Sequence, residues 1–246
     1  MNQDIDSILR NWQYKQGIAQ ARLIQAQDGR QLIQLRVDLG LLQMETTGRP
    51  DGEKPHGHDT YCDYLREQVR LSRKDGQKFT LSEEQCQEAD REFLQHYHRR
   101  MCWLALRQYE RAVRDADHTL AFMDLVRRHA PNEEYLEAHE QYRGFVLFQR
   151  TQAAAALEVE NNLPEQAVRE IQGGLDKLRD FFVLYEREAE MDDDGMVRHL
   201  RQVEKALREQ YQIDMTLEEQ LQKAIADENY ERAAELRDAL KQQERA

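Results

Sequence analysis

Proline is scarce in this chain, four residues in 246, and there are only eleven glycines. Both interrupt helices, proline by removing a backbone donor and glycine by its conformational freedom. Their scarcity, beside abundant Ala, Glu, Gln, Leu and Arg, predicts a mainly helical protein. Cysteine is scarcer still: Cys62, Cys86 and Cys102 form an odd set with no C-x-x-C pair. That excludes a disulfide framework and fits reduced thiols. The longest apolar runs, such as Ala153 to Leu157, fall far short of the roughly 20 residues that span a bilayer. No basic start followed by an apolar stretch opens the chain, so a cytoplasmic protein is expected, with no membrane contact. Positive charge is in deficit as well, with a formal net charge of −12. Duplex DNA presents about one phosphate charge per 1.7 Å, so this balance argues against direct nucleic-acid binding.

Catalytic signatures are missing too. There is no Walker phosphate loop, no G-x-S-x-G and no H-E-x-x-H. No catalytic residue, cofactor or metal ligand is assigned, and an enzyme is not expected.

The length suits one large domain or two small ones. Three regions are expected: residues 1–58, a β-containing N-terminal segment; 59–190, a helical body; and 191–246, a linker helix with a helical hairpin. In the first, Asp28-Gly29 between Ile18–Gln27 and Arg30–Asp38 predicts a tight β-hairpin turn with positive φ. Ile33, Leu35 and Val37 alternate with Gln34, Arg36 and Asp38, the period of a half-buried strand, and Leu39 to Met44 extends the apolar pattern. A lone two-stranded hairpin is barely stable, so this piece must pack on helices or pair with another edge.

Two groups have metal-ligating side chains. His56, His58, Asp59 and Cys62 cluster at the end of a polar connection, and His98 and Cys102 lie four apart on a predicted helix. They are the basis of the rival function, a metal-dependent enzyme or metal-responsive regulator. The blander reading makes Asp59 and Thr60 helix caps, and His98 and Cys102 packed side chains.

In the body, Glu110-Arg111-Ala112-Val113-Arg114-Asp115 with Leu120 echoes Glu165-Gln166-Ala167-Val168-Arg169-Glu170 with Leu175. Each copy follows a turn. The arrangement resembles tetratricopeptide (TPR) repeats, in which a small Ala lets one helix close on another. Ala112 and Ala167 hold that position, with Ala105 or Ala155 as possible small partners. The copies lie further apart than one TPR period, so a TPR-like array and an irregular antiparallel bundle remain alternatives. Met191-Asp192-Asp193-Asp194-Gly195 then breaks the helical pattern.

Beyond it, Thr216 to Glu244 reads as two short amphipathic helices. Leu217, Leu221 and Ile225 line one, and Tyr230, Ala233, Leu236 and Leu240 the other, with Ala-Asp-Glu-Asn between them. Thr216 and Glu219 have capping-box spacing. Asn229-Tyr230-Glu231-Arg232-Ala233-Ala234-Glu235-Leu236-Arg237-Asp238 resembles the UVR motif, the helical hairpin that ends UvrB, recurs in UvrC and appears in Clp-protease regulators such as McsA and ClpC. The resemblance implies a protein–protein contact instead of a catalytic centre. The chain lacks the cysteine pairs of McsA-type regulators, the helicase motifs of UvrB and any nuclease signature of UvrC. The expected function is an adaptor linked to nucleotide excision repair or Clp-type protein quality control. Its interaction surface would comprise Leu221, Ile225, Tyr230, Ala233, Ala234, Leu236 and Leu240, with Arg237 and Asp238 setting register. A UvrB/UvrC-like component, a Clp-type chaperone or a second copy forming a homodimer is the expected partner.

Overall fold

The computed structural model describes residues 4–243. It is mainly helical, with ten α-helices and one three-stranded sheet among the described residues. Contacts divide the chain into two compact units, Met1–Leu200 and Arg201–Ala246.

The first unit opens with a short helix, α1 (Asp6–Asn11), and an antiparallel sheet of β1 (Gln20–Gln25), β2 (Gln31–Val37) and β3 (Gly40–Glu45) in the order β1-β2-β3. The apolar run after Asp38 is therefore a full third strand. The register sets Leu23, Ile33 and Met44 side by side, and Ala21, Leu35 and Leu42 beside them. This face packs on Cys102, Trp103, Ala112 and Ala153 of the helical body.

β2 differs from the half-buried strand its alternation predicts. Leu32, Gln34 and Arg36, on the other face, are buried as well. Residues ahead of β1 reach this face. The Trp12 carbonyl accepts from Arg36 Nε at 2.8 Å, and the Trp12 ring lies under the Arg22 guanidinium at 4.3 Å. Gln34 is satisfied across the ladder, accepting from Arg22 at 2.7–2.9 Å and donating to Gln43 at 2.9 Å.

The turn at Asp28-Gly29 is also wider than expected. Gln25 pairs with Gln31, and Ala26 N–H donates to the Arg30 carbonyl at 2.8 Å, which leaves a three-residue loop. Gly29 alone in this loop takes a left-handed φ, +86°, as such loops require at their third position. Forcing an L side chain into that region costs about 1–2 kcal/mol. Gly29→Val should therefore lower the thermal midpoint, and Gly29→Asn should lower it less. Identical melting of both variants and the wild type would contradict the left-handed assignment.

The helical body comprises α2 (Tyr61–Lys74), α3 (Glu83–Ala105), α4 (Tyr109–His129), α5 (Glu133–Glu140), α6 (Arg143–Glu160) and α7 (Pro164–Leu184). α4 packs on α3 and α6, and α6 on α7. The two echoed segments begin α4 and α7 after equivalent reversals. Arg107 (φ +54°) and Asn162 (φ +60°) are left-handed, and the next N–H bonds back to the fifth carbonyl before it. That is the Schellman geometry, which satisfies helix-terminal carbonyls. Ala112, Ala167 and Ala155 are buried; Ala105 is exposed. Gly174 permits a close helix approach: a Cβ there would fall 2.2 Å from Thr151 Oγ1 on α6.

The acidic run after α7 forms a 3-10 turn, Glu188–Asp193, with Met191 buried. Asp194 Oδ1 accepts from the N–H groups of Met196 and Val197 at 2.8 and 3.0 Å, capping α8 (Gly195–Tyr211). Val197 and Leu200 at the start of α8 are fully buried in the first unit, so the compact units divide after Leu200. The second unit holds the remainder of α8, α9 (Leu217–Ala226) and α10 (Tyr230–Gln243). No helix among the described residues is long and apolar enough to cross a membrane.

Candidate functional site

In the C-terminal hairpin, local chemistry fixes each end of the connection. Thr216 Oγ1 accepts from Glu219 N–H at 3.2 Å, while Glu219 accepts from Thr216 N–H at 2.6 Å, so α9 starts with the expected capping box. At its other end, Glu228 adopts φ +55°, and Asn229 N–H reaches back to the Ala224 carbonyl at 2.8 Å. Asn229 Oδ1 then accepts from Arg232 N–H at 3.2 Å, opening α10. Arg208 on α8 joins this unit through Glu204, the Asp214 carbonyl and Glu219.

The seven apolar residues and two charged ones expected to form one interaction surface separate into groups. Ala233 and Leu236 are buried against Ala224, with Leu221 partly buried beside them. They hold the two helices together. Ala234 is half-buried at the edge of this core. Ile225 and Tyr230 flank the turn and stay outward, 47% and 69% exposed. Arg237 and Asp238 pair with each other at 2.9 Å on the exposed side. The side chain of Leu240 lies outside the described residues. Ala224 was missed from sequence, although a small residue facing Ala233 is what close helix approach requires.

Neither sequence-level metal group assembles. His56 stacks on Tyr64 at 3.9 Å, Asp59 pairs with Lys54 at 3.1 Å, and Cys62 is buried in an apolar cluster. Burial pushes the Cys62 and Cys102 thiols up to about 12, which disfavours the thiolates that bind metals. Cys102 packs with Trp103 and Ile33.

The structure instead gathers a different trio, Glu92, His96 and His118, whose candidate ligand atoms lie within 4.8 Å of one another. Its geometry suits a hydrogen-bonded core. The two imidazoles stack at 4.1 Å with planes 20° apart. A metal bond runs in the ring plane at about 2.0–2.1 Å, and planes so nearly parallel do not converge at that distance. Glu92 is already engaged, accepting from the N–H groups of Tyr61 and Cys62 at 2.6 and 3.1 Å and from His118 Nε2 at 3.0 Å. Burial, reinforced by His118, pushes the His96 pKa well below its ordinary value, so the ring stays neutral.

Beside it runs a second buried network. Arg99 clasps Asp115 at 2.9 and 2.7 Å and donates to the carbonyls of Glu45 and Gly48, tying the end of β3 to the helices. Arg49, 2% exposed, bonds Glu88 at 2.9 Å. These residues were not singled out from sequence. A signal existed: Glu92, His96, Arg99 and Trp103 recur at helical spacing along the core-facing stripe of α3.

Two of the clefts on the body have chemically distinct walls. One, of about 600 Å³, lies among α3, α4, α5 and α6 and has an aromatic wall. The other collects Arg66, Arg70, Arg73, Lys74, Arg128 and His129 between α2 and α4, a local basic concentration that the net charge conceals.

No curated protein and no solved structure matches the chain. One family model does, over residues 213–245, a span that includes the capping threonine, both helices and the turn between them. The C-terminal helical hairpin of this protein is thus a UvrB/uvrC (UVR) motif.

Proposed function

We propose that this protein is a non-enzymatic cytoplasmic adaptor that binds a helical partner through its UVR hairpin. One observation carries the reading. The core of the hairpin is built from two alanines and two leucines, while Tyr230 and Ile225 stay largely exposed beside the turn. An aromatic anchor flanked by aliphatic surface suits helix-to-helix burial, where Tyr is enriched among energetically dominant residues. The partner is a UvrB/UvrC-like component, a Clp-type chaperone or a second copy, in nucleotide excision repair or Clp-type protein quality control. The helical body, TPR-like in this reading, serves as scaffold.

The division between inward and outward residues makes the proposal testable. Tyr230→Glu should weaken partner binding or self-association at least tenfold, because the carboxylate would lose water on docking. Helical content by circular dichroism should stay unchanged. Ala233→Asp should instead lose hairpin structure, and Ala234→Asp should fall between the two. The measurements are sedimentation velocity of the protein alone and titration against purified UvrB, UvrC and a Clp-type chaperone. Full association by Tyr230→Glu, or none by the wild type, would overturn the reading. Stoichiometric zinc or iron in protein purified without an affinity tag would favour the metal-dependent alternative.

A further inference from the structure

Arg100 on α3 is 2% exposed, and it lines the 600 Å³ cleft among α3, α4, α5 and α6. Its guanidinium is held by neutral groups alone. Nε donates to Gln149 Oε1 at 2.8 Å and Nη1 to Thr119 Oγ1 at 3.0 Å. The nearby carboxylate of Asp115 is committed elsewhere, to both sides of Arg99 and to the Trp103 indole N–H at 3.1 Å. A buried cation without an ion pair is uncommon, since burial of charge is costly unless a counter-charge compensates it.

The remaining amino group, Nη2, makes no hydrogen bond to any of the described residues. Yet among the described residues no buried side-chain nitrogen or oxygen is left unsatisfied. Nη2 therefore keeps contact with accessible space, and the cleft is the space that Arg100 lines. Around this cation the walls are apolar. Phe93, Met123 and Val146 form the inner lining, while Leu94 and Tyr142 stand at the mouth, 56% and 59% exposed. The cleft volume falls within the range of small-molecule sites, which combine apolar walls with a few fixed polar groups.

We propose that this cleft binds a small amphipathic carboxylate, its head group on Arg100 Nη2 and its hydrocarbon body along the apolar wall. A single open amino group suits a compact monoanion. Asp90 lines the same cleft and disfavours ligands of higher negative charge. Burial lowers the Arg100 pKa to about 10, although the Asp115 carboxylate nearby opposes that shift.

Decanoate is a suitable probe, with 1-decanol as its uncharged counterpart, both titrated by calorimetry into the full-length protein. Decanoate should bind with micromolar affinity, at least tenfold more tightly than the alcohol. Arg100→Gln should remove that preference while keeping residual apolar binding. Because Arg100 is buried, a second variant guards against simple misfolding. Ala138 is exposed at the cleft mouth, so Ala138→Trp should block both ligands with an unchanged melting temperature. Equal affinity for acid and alcohol, no decanoate binding, or binding that survives Ala138→Trp would each overturn the proposal. None of these outcomes bears on the hairpin reading, which rests on other residues.

Discussion

Replacing Asp115 with alanine is expected to destabilise the first unit by about 3–5 kcal/mol, the usual cost of breaking a buried ion pair from one side. Asp115 holds Arg99 through two parallel bonds of 2.7 and 2.9 Å, with both side chains about 95% buried. It also accepts from the Trp103 indole at 3.1 Å. Truncation leaves a guanidinium and an indole N–H without their acceptor in the interior. Arg99 meanwhile keeps its bonds to the carbonyls of Glu45 and Gly48, so the charge cannot swing out to water without releasing the end of β3. Urea unfolding followed by circular dichroism measures the loss. Asp115→Asn should cost less, since an amide oxygen still accepts. The double variant Arg99→Met, Asp115→Leu should recover much of the stability, because apolar pairs of similar volume often equal a buried ion pair. A double variant as unstable as Asp115→Ala would assign the effect to packing instead of charge.

Glu92→Ala should have an effect of comparable size, about 3–5 kcal/mol, by a different route. The fully buried carboxylate accepts from the first two N–H groups of α2, capping that helix from a distant part of the chain. It also receives His118 and lies 3.9 Å from Arg49 Nε. Its removal orphans two backbone donors and withdraws negative charge from a helix N-terminus, where the macrodipole favours it. The local cap offers a calibrated comparison. Thr60 Oγ1 accepts from Asp63 N–H at 3.1 Å, and losing such a cap costs about 1 kcal/mol. If Glu92→Ala proves no more destabilising than Thr60→Ala under the same denaturation, the tertiary cap does not have the weight given to it.

How much of this was legible in the sequence depends on the residue. Thr216 and Glu219 announced their capping box, because the bond closes within one helical turn and needs no tertiary partner. Ile33, Leu35 and Val37 announced a strand, and their face does meet the helices. Gln34 and Arg36 were read as the solvent side. The Trp12 carbonyl engages Arg36, and Arg22 and Gln43 on the flanking strands engage Gln34, contacts that alternation cannot encode. Glu92, Arg99, Arg100 and Asp115 were hidden differently. On charged helices an acidic or basic side chain reads as solvated, and burial follows from which opposite group another helix delivers.

The hairpin draws the same line within one element. Its sequence by itself determined two amphipathic helices, their cap, the tight connection and the resemblance to the UVR motif, since all of these follow from spacing along the chain. The tertiary structure decided which side of each apolar stripe is inside. Two helices meet along their narrowest faces, so small Ala224 and Ala233 took the contact with Leu236, while Ile225 and Tyr230 were left beside it. Periodicity fixes a direction around one helix axis; the partner's direction is set only when both helices are packed in space.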